Sequence, residues 1–176
     1  MTIDAVRRRV FNLLSLGGLA ALGGAGAARA RPERALDDPA ACRDLTLRAS
    51  MLMDANDADG LVALFTPDLE FVKPSTYPVV SIRGRDQLRA VIAGRSPQFV
   101  SRHVCTNAVA DRLGPDTIRV RSYFTHFSGT HPSSAVGALP IAEALRSVGE
   151  YDDTLSSTGE GWRIARRVGR FSFGGL

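Results

Sequence analysis

Asp54 and His103 are the two residues whose type and setting best suit proton-transfer chemistry. Asp54 closes a helical stretch seven residues after Leu47 and three after Met51, on an apolar stripe rather than a solvent face. A carboxyl among apolar side chains favours its protonated form, which makes it useful as an acid or base near neutral pH. The bland reading is a helix-terminal aspartate tied to nearby backbone. His103 opens a β-rich stretch in which His103, Cys105 and Asn107 share one face, with Val104 and Thr106 on the other. It is either a pocket histidine or a hydrogen-bonded structural one. Together the two would shuttle a proton on a carbonyl compound. Phe65, Phe71, Tyr123, Phe124 and Tyr151 would then either wall out water or pack an ordinary core.

Tyr151, Asp153 and Leu155 alternate on one strand face, and Arg166 and Arg167 lie on the strand that should follow. A cross-strand pair between Asp153 and one of these arginines is expected, as a structural pair at a pocket rim or as a ligand contact. Cys42 and Cys105 sit on apolar faces. They form either one disulfide, worth roughly 4 kcal/mol in the chain-entropy picture, or two buried thiols. No metal site is expected, because His103, His126 and His131 lack zinc spacing and two isolated cysteines cannot build a thiolate site. No nucleophile elbow, phosphate loop or dinucleotide fingerprint accompanies the glycines, so no cofactor is expected.

The elements that must position these residues can be read from periodicity and punctuation. Asp38-Pro39 offers a cap and a first-turn proline, so a first helix should run from about Pro39 to Ala55. Its apolar residues fall on two faces, Cys42, Leu45, Ala49 and Leu52 on one and Leu47 and Met51 on the other, which predicts a sandwiched helix. Asp57 should cap a short second helix through Leu61, Leu64 and Phe65 that stops at Thr66-Pro67, with a strand over Asp68 to Lys73. Ser81 to Gly84 is a candidate short strand. Arg85 to Ala93 is predicted as a third helix ended by Gly94. His103 to Leu113, Thr117 to Phe127, Val148 to Ser157 and Trp162 to Phe173 read as strands. Ser128 to Pro140 is rich in Gly, Ser and Pro and is expected to be a long loop. Helices followed by a strand meander argue for an α+β class with helices on one face of a curved antiparallel sheet.

The chain has 176 residues, 44% hydrophobic and 23% charged, which suits one core rather than two. Its sequence pI of 9.7 suggests nucleic acid, but Arg7, Arg8, Arg9 and Arg29 stand in the first thirty residues against only Asp4. Beyond that segment 18 basic residues face 17 acidic ones, scattered over several elements, and nucleic-acid binding is not expected. Residues 1–30 have the layout of an export signal, with a basic start, a Gly-diluted apolar stretch from Leu13 to Ala28, and small residues ending in Ala28-Arg29-Ala30. Arg8-Arg9-Val10-Phe11-Asn12-Leu13 resembles the twin-arginine signal. The expectation is cleavage after Ala30, a linker over 31–37, one domain over 38–176, no stable membrane span after cleavage, and a periplasmic or secreted location.

Several short pieces, in order, resemble the SnoaL-like family of the nuclear transport factor 2-like superfamily. They are Leu64-Phe65-Thr66-Pro67-Asp68, Ile82-Arg83-Gly84-Arg85-Asp86, Arg102-His103 with Thr106-Asn107, Ser122-Tyr123-Phe124, Gly149-Glu150-Tyr151-Asp152-Asp153 and Gly161-Trp162-Arg163-Ile164. The resemblance implies a cone of three N-terminal helices over a curved sheet enclosing an apolar pocket, and commonly a homodimer. Asp54 and His103 are similar to the catalytic aspartate and a pocket histidine of the scytalone dehydratases in that superfamily. Met53 and Phe71 stand near two tyrosine positions there, and His126 is a loose match for a second histidine. The implied function is a pocket for a small apolar molecule, with Asp54 and His103 as catalytic residues and Phe65, Phe71, Tyr123, Tyr151 and Asp153 contacting substrate. Isomerase, dehydratase or cyclase chemistry would suit it. The alternative is a non-catalytic ligand-binding or dimerisation module on the same fold.

Overall fold

The computed structural model describes residues 34–73, 80–132 and 137–174. The expected signal segment, residues 31–33 of the expected linker and the middle of the Ser128 to Pro140 stretch lie outside the described residues. Those described form three helices and six strands: α1 (Arg34–Asp54), α2 (Ala58–Ala63), β1 (Phe65–Lys73), β2 (Val80–Arg83), α3 (Arg85–Ala93), β3 (Phe99–Gly114), β4 (Thr117–Thr130), β5 (Leu145–Thr158) and β6 (Gly161–Gly174). Among them no helix is long and apolar enough to cross a membrane.

α1 starts four residues before the expected cap and carries Pro39 inside it. Asp38 is not the expected N-cap: it lies within the helix, and its carboxylate pairs with Arg112 of β3 at 2.9 Å. The buried face of the helix is Cys42, Thr46, Ala49, Ser50 and Met53, spaced as one helical stripe. The expected second apolar face is not packed among the described residues: Met51 is 72% exposed and Leu47 is only partly buried.

α2 ends at Ala63, two residues short of Phe65, with Asp57 accepting the Gly60 N–H at 2.8 Å as its cap. Phe65, Thr66 and Pro67 already belong to β1. Pro67 is tolerated there because the β1–β6 ladder is irregular between Phe65 and Glu70, so its missing N–H forfeits no regular bond. The Arg85 guanidinium bonds the Phe65 carbonyl from the start of α3. α3 has the predicted bounds, burying Leu88 and Ile92 and ending at Gly94.

The strands order as β2-β1-β6-β5-β4-β3, and β1 runs parallel to β6. The sheet is therefore mixed, not wholly antiparallel as expected. Hairpins join β3 to β4 and β5 to β6, but residues 74–160 separate β1 from β6, so no tight turn forces their direction. Ladder irregularities at Thr106/Val109 and Val148/Gly149 bend the long strands. Ile118, Val120, Phe124, Tyr151, Leu155 and Ile164 point inward to a core shared with the helices.

Candidate active site

Asp54 is the last residue of α1, and the helix stops just beyond it because Asn56 takes a left-handed backbone (φ 54). That turn brings the carboxylate against β3. Oδ1 accepts the Ser101 hydroxyl at 2.7 Å and faces His103 Nδ1 at 2.7 Å, while Oδ2 accepts the His103 backbone N–H at 2.7 Å. The two side chains are only 9% and 7% exposed. An ionised carboxylate can only accept, so the ring proton sits on Nδ1 and Nε2 is the nitrogen left for chemistry.

Burial pushes the Asp54 carboxyl upward. The His103 ring and backbone bonds, the His103 charge and the Ser101 hydroxyl outweigh that and hold it below its ordinary value. The anticipated buried, protonated acid is thus an ionised partner of the imidazole. The His103 ring stacks on His126 with centroids 4.3 Å apart, and the strand register pairs the two residues directly. Burial, and then the neighbouring His103, push the His126 imidazole down to about 4, so it is neutral near pH 7.

His103 and His126 open into a cavity of about 280 Å³. Its walls are apolar, from Met53 of α1, Phe71 of β1, Ile92 of α3, and Phe124, Tyr151 and Phe171 of the sheet, with Lys73 and Arg95 the charged exceptions. Burial raises the Tyr151 phenol well above its ordinary range, leaving it a neutral donor. A larger, more open hollow of about 390 Å³ lies between the β3–β4 end and residues 138–144, but His103 does not line it. The ionisable pair, not the volume, selects the smaller cavity.

The sequence-predicted contacts divide. Phe71 and Tyr151 line the cavity with His103. Phe65 does not: it is fully buried in the core, its ring 5.9 Å from the Arg167 guanidinium. Tyr123 stands on the opposite sheet face, 56% exposed, because strand alternation turns Phe124 inward in its place. Asp153 is neither rim nor ligand contact. It is fully buried and holds Arg167 through two bonds of 2.8 and 2.7 Å. Asn107 leaves the His103 face because it takes φ 53 at a ladder irregularity. Cys42 and Cys105 are free thiols; burial, helped by Asp38, pushes Cys42 up to about 12, and Cys105 contacts the Ser50 hydroxyl.

Sequence reasoning missed Ser101, Phe99 and Arg95. Ser101 had a signal, two residues before His103 on the same strand face, but the strand was expected to begin only at His103. Arg95 had none, since an arginine just after a helix-ending glycine reads as surface.

A curved mixed sheet, three helices and an apolar cavity with a buried carboxylate and imidazole define a small-molecule pocket protein of the α+β class. The chain belongs to the SnoaL-like domain family, which matches residues 34–168. No curated protein matches it. Among solved structures it is similar to a scytalone dehydratase candidate from Novosphingobium aromaticivorans, with 22% identity, TM-score 0.65, and coverage of 80% of this chain and 88% of that one. An NTF2-like protein with a cystatin-like fold from the same organism has 24% identity, TM-score 0.60, and coverage of 81% and 87%. Hexachlorocyclohexane dehydrochlorinase LinA-type3 from Novosphingobium barchaimii has 14% identity, TM-score 0.63, and coverage of 80% and 90%. At these identities the likeness shows the fold alone, and that fold agrees with the α+β class expected from the sequence.

Proposed function

We propose that this chain is a cofactor-independent enzyme that removes a proton from an apolar carbonyl compound in its cavity, leading to isomerisation, elimination or ring closure. The observation that carries the reading is the Asp54–His103 contact of 2.7 Å, both side chains nearly buried, at the wall of an apolar cavity. In this scheme His103 Nε2 takes a proton from the carbon beside the carbonyl. The imidazole becomes a cation, and the Asp54 carboxylate at Nδ1 compensates that charge and holds the ring in place. Electron density moves onto the carbonyl oxygen, where the neutral Tyr151 phenol is a suitable donor. Returning the proton to another carbon completes an isomerisation; loss of a leaving group from the neighbouring carbon completes an elimination. Two of the similar structures bear names denoting loss of water and of hydrogen chloride, which supports the elimination branch. Met53 and Phe71 carry no hydroxyl, so Tyr151 is the one phenol lining the cavity among the described residues.

The test is deuterium incorporation from D2O into 2-tetralone, followed by proton NMR. Exchange should be accelerated by the wild type and slowed about 100-fold or more in His103→Gln and Asp54→Asn. Unchanged exchange in both folded variants would sink the proposal. It would favour instead a non-catalytic pocket in which the three hydrogen bonds to Asp54 only pin α1 to β3.

Export through the 1–30 segment and assembly as a homodimer belong to the same proposal. The first is supported by the Arg8-Arg9 and Ala28-Arg29-Ala30 patterns, the second by exposed Val104, Val109 and Tyr123 on the outer sheet face. The mass of the mature chain and its light scattering in solution test both. An intact amino terminus or a monomer would reject the corresponding part.

A further inference from the structure

Arg95 follows Gly94, the residue that ends α3, and its guanidinium lines the cavity half-buried. Nη1 donates to the Met53 carbonyl at 2.8 Å and to Asn56 Oδ1 at 3.2 Å, and the group lies over the Phe99 ring at 5.2 Å. Both partners are neutral, and they occupy one nitrogen only. Nε and Nη2 keep three N–H donors without a hydrogen-bond partner among the described residues. No carboxylate lies within ion-pair distance of Arg95 among those residues either. Arg167, the deeply buried arginine, shows what compensation looks like, with two bonds to Asp153.

The electrostatic balance of the cavity points the same way. Lys73, half-buried at the end of β1, supplies a second cation, and no acidic side chain is among the lining residues. The Asp54 carboxylate is committed to Ser101 and His103. Burial weakens the hold of Arg95 on its own proton, and the attraction of Asp54 only partly offsets this. A guanidinium in this state gains most from a planar anion that accepts on its Nε–Nη2 edge.

We propose that the ligand selected by this cavity is an apolar carboxylate of about one or two rings, its carboxylate bound on the Nε–Nη2 edge of Arg95 with Lys73 as the second cation. This assigns a substrate class to the site and rests on the proton-transfer reading only for what happens after binding. A cavity of about 280 Å³ admits such a body, and its aromatic walls suit it.

The experiment is calorimetric titration of the full chain with 2-naphthoate and with its uncharged counterpart 2-naphthamide. The wild type should bind the carboxylate roughly tenfold or more tightly than the amide, and added NaCl should weaken naphthoate binding only. Arg95→Gln should abolish the preference and Arg95→Lys should keep part of it. Because Arg95→Gln also removes the ties to Met53 and Asn56, its fold is checked by circular dichroism. Lys73→Met breaks neither tie and should lower the preference a few-fold. Equal binding of the two probes by the wild type overturns the inference, as does full preference in a folded Arg95→Gln. If Arg95→Gln does not fold, full preference in both Arg95→Lys and Lys73→Met overturns it as well. His103→Gln separates the two proposals, because it should lose proton exchange and keep the anion preference. Anion preference in a wild type that exchanges protons on no carbon acid rejects the reaction and keeps the ligand class. Exchange of 2-tetralone by a wild type that ignores the carboxylate does the reverse.

Discussion

Burial alone would make Asp54 a weak acid, and the hydrogen bonds it accepts reverse that outcome. His126 has no such rescue. It lies against His103 in the same cavity, with Asp54 close enough to favour its charge and Arg95 close enough to oppose it, and the net result is an imidazole pushed down to about 4. The consequence for stability has a definite sign. Between the ordinary histidine value of about 6.5 and about 4, the unfolded chain binds a proton at residue 126 that the folded chain refuses. Unfolding free energy should therefore fall as pH is lowered through that window. The depressed Asp54 carboxyl adds its own loss only lower, as pH drops through its folded value below the ordinary carboxylate range. Urea denaturation followed by circular dichroism from pH 7 to 4 should show the decline, and His126→Gln should flatten it. An unchanged slope in the variant would mean that His126 takes up its proton in the folded state as readily as in the unfolded one. Asp54 and His103 were legible in the sequence, but the route to Asp54 was not. It meets Ser101 and His103 on the stripe of Thr46, Ser50 and Met53, whose two polar members hid it, not on the stripe of Leu47 and Met51. Phe65, Tyr123 and Asp153 were misplaced for a related reason: residue type marks an aromatic or a carboxylate, and only register says which face it takes.

At the level of elements, the long strands reach the cavity because they bend, and Gly149 marks one bend. It sits beside the irregularity at Val148/Gly149, paired with Phe124 on one side and Phe171 on the other, both of which line the cavity. A Cβ built there would stand 2.1 Å from the Arg170 carbonyl oxygen and 2.7 Å from Phe124 Cζ. The ring can yield a little, but the backbone oxygen of the paired strand cannot. Gly149→Ala should cost about 1–3 kcal/mol by overpacking, read as a lower urea midpoint at unchanged slope. Stability within about 0.5 kcal/mol of wild type would show that β5 and β6 can part there without loss. Punctuation made some elements readable: α3 has its predicted bounds because an amphipathic run meets Gly94. Others resisted. Phe99 to Arg102 follow Ser96-Pro97 and look like loop, yet they pair with β4 from Phe99 onward and carry Ser101 to Asp54. Thr66-Pro67 look like a stop, and become strand because an irregular parallel ladder has room for proline.

For the molecule as a whole, the question is what joins the helical layer to the sheet beneath the cavity, and Arg167 is central to the answer. From β6 it binds Asp153 of β5 through two bonds and donates to the Thr46 carbonyl of α1 at 3.2 Å. The Tyr151 ring lies 4.5 Å from its guanidinium, with Phe71 at 6.0 Å, so one side chain touches both layers and supports two cavity walls. Burial opposes its charge; Asp153 outweighs that and keeps the guanidinium firmly protonated. Arg166, next in the chain, faces out to Glu70, and only the register Asp153↔Arg167 decides which arginine is internal. A buried pair of this kind is costly to break and less costly to replace. Asp153→Asn leaves a buried cation without its counter-charge and should destabilise by about 3–5 kcal/mol. The double variant Asp153→Leu with Arg167→Met removes both charges and keeps apolar volume, so it should recover much of that loss in a urea double-mutant cycle. Additive losses in the cycle would mean that the two charges do not depend on each other, contrary to their geometry. If the double variant folds as well as the wild type, the stability of this interior comes chiefly from its packing. The charged pair would then serve to fix one arrangement of Tyr151 and Phe71 around the cavity, and binding of 2-naphthoate would weaken in the double variant even though its unfolding midpoint did not move.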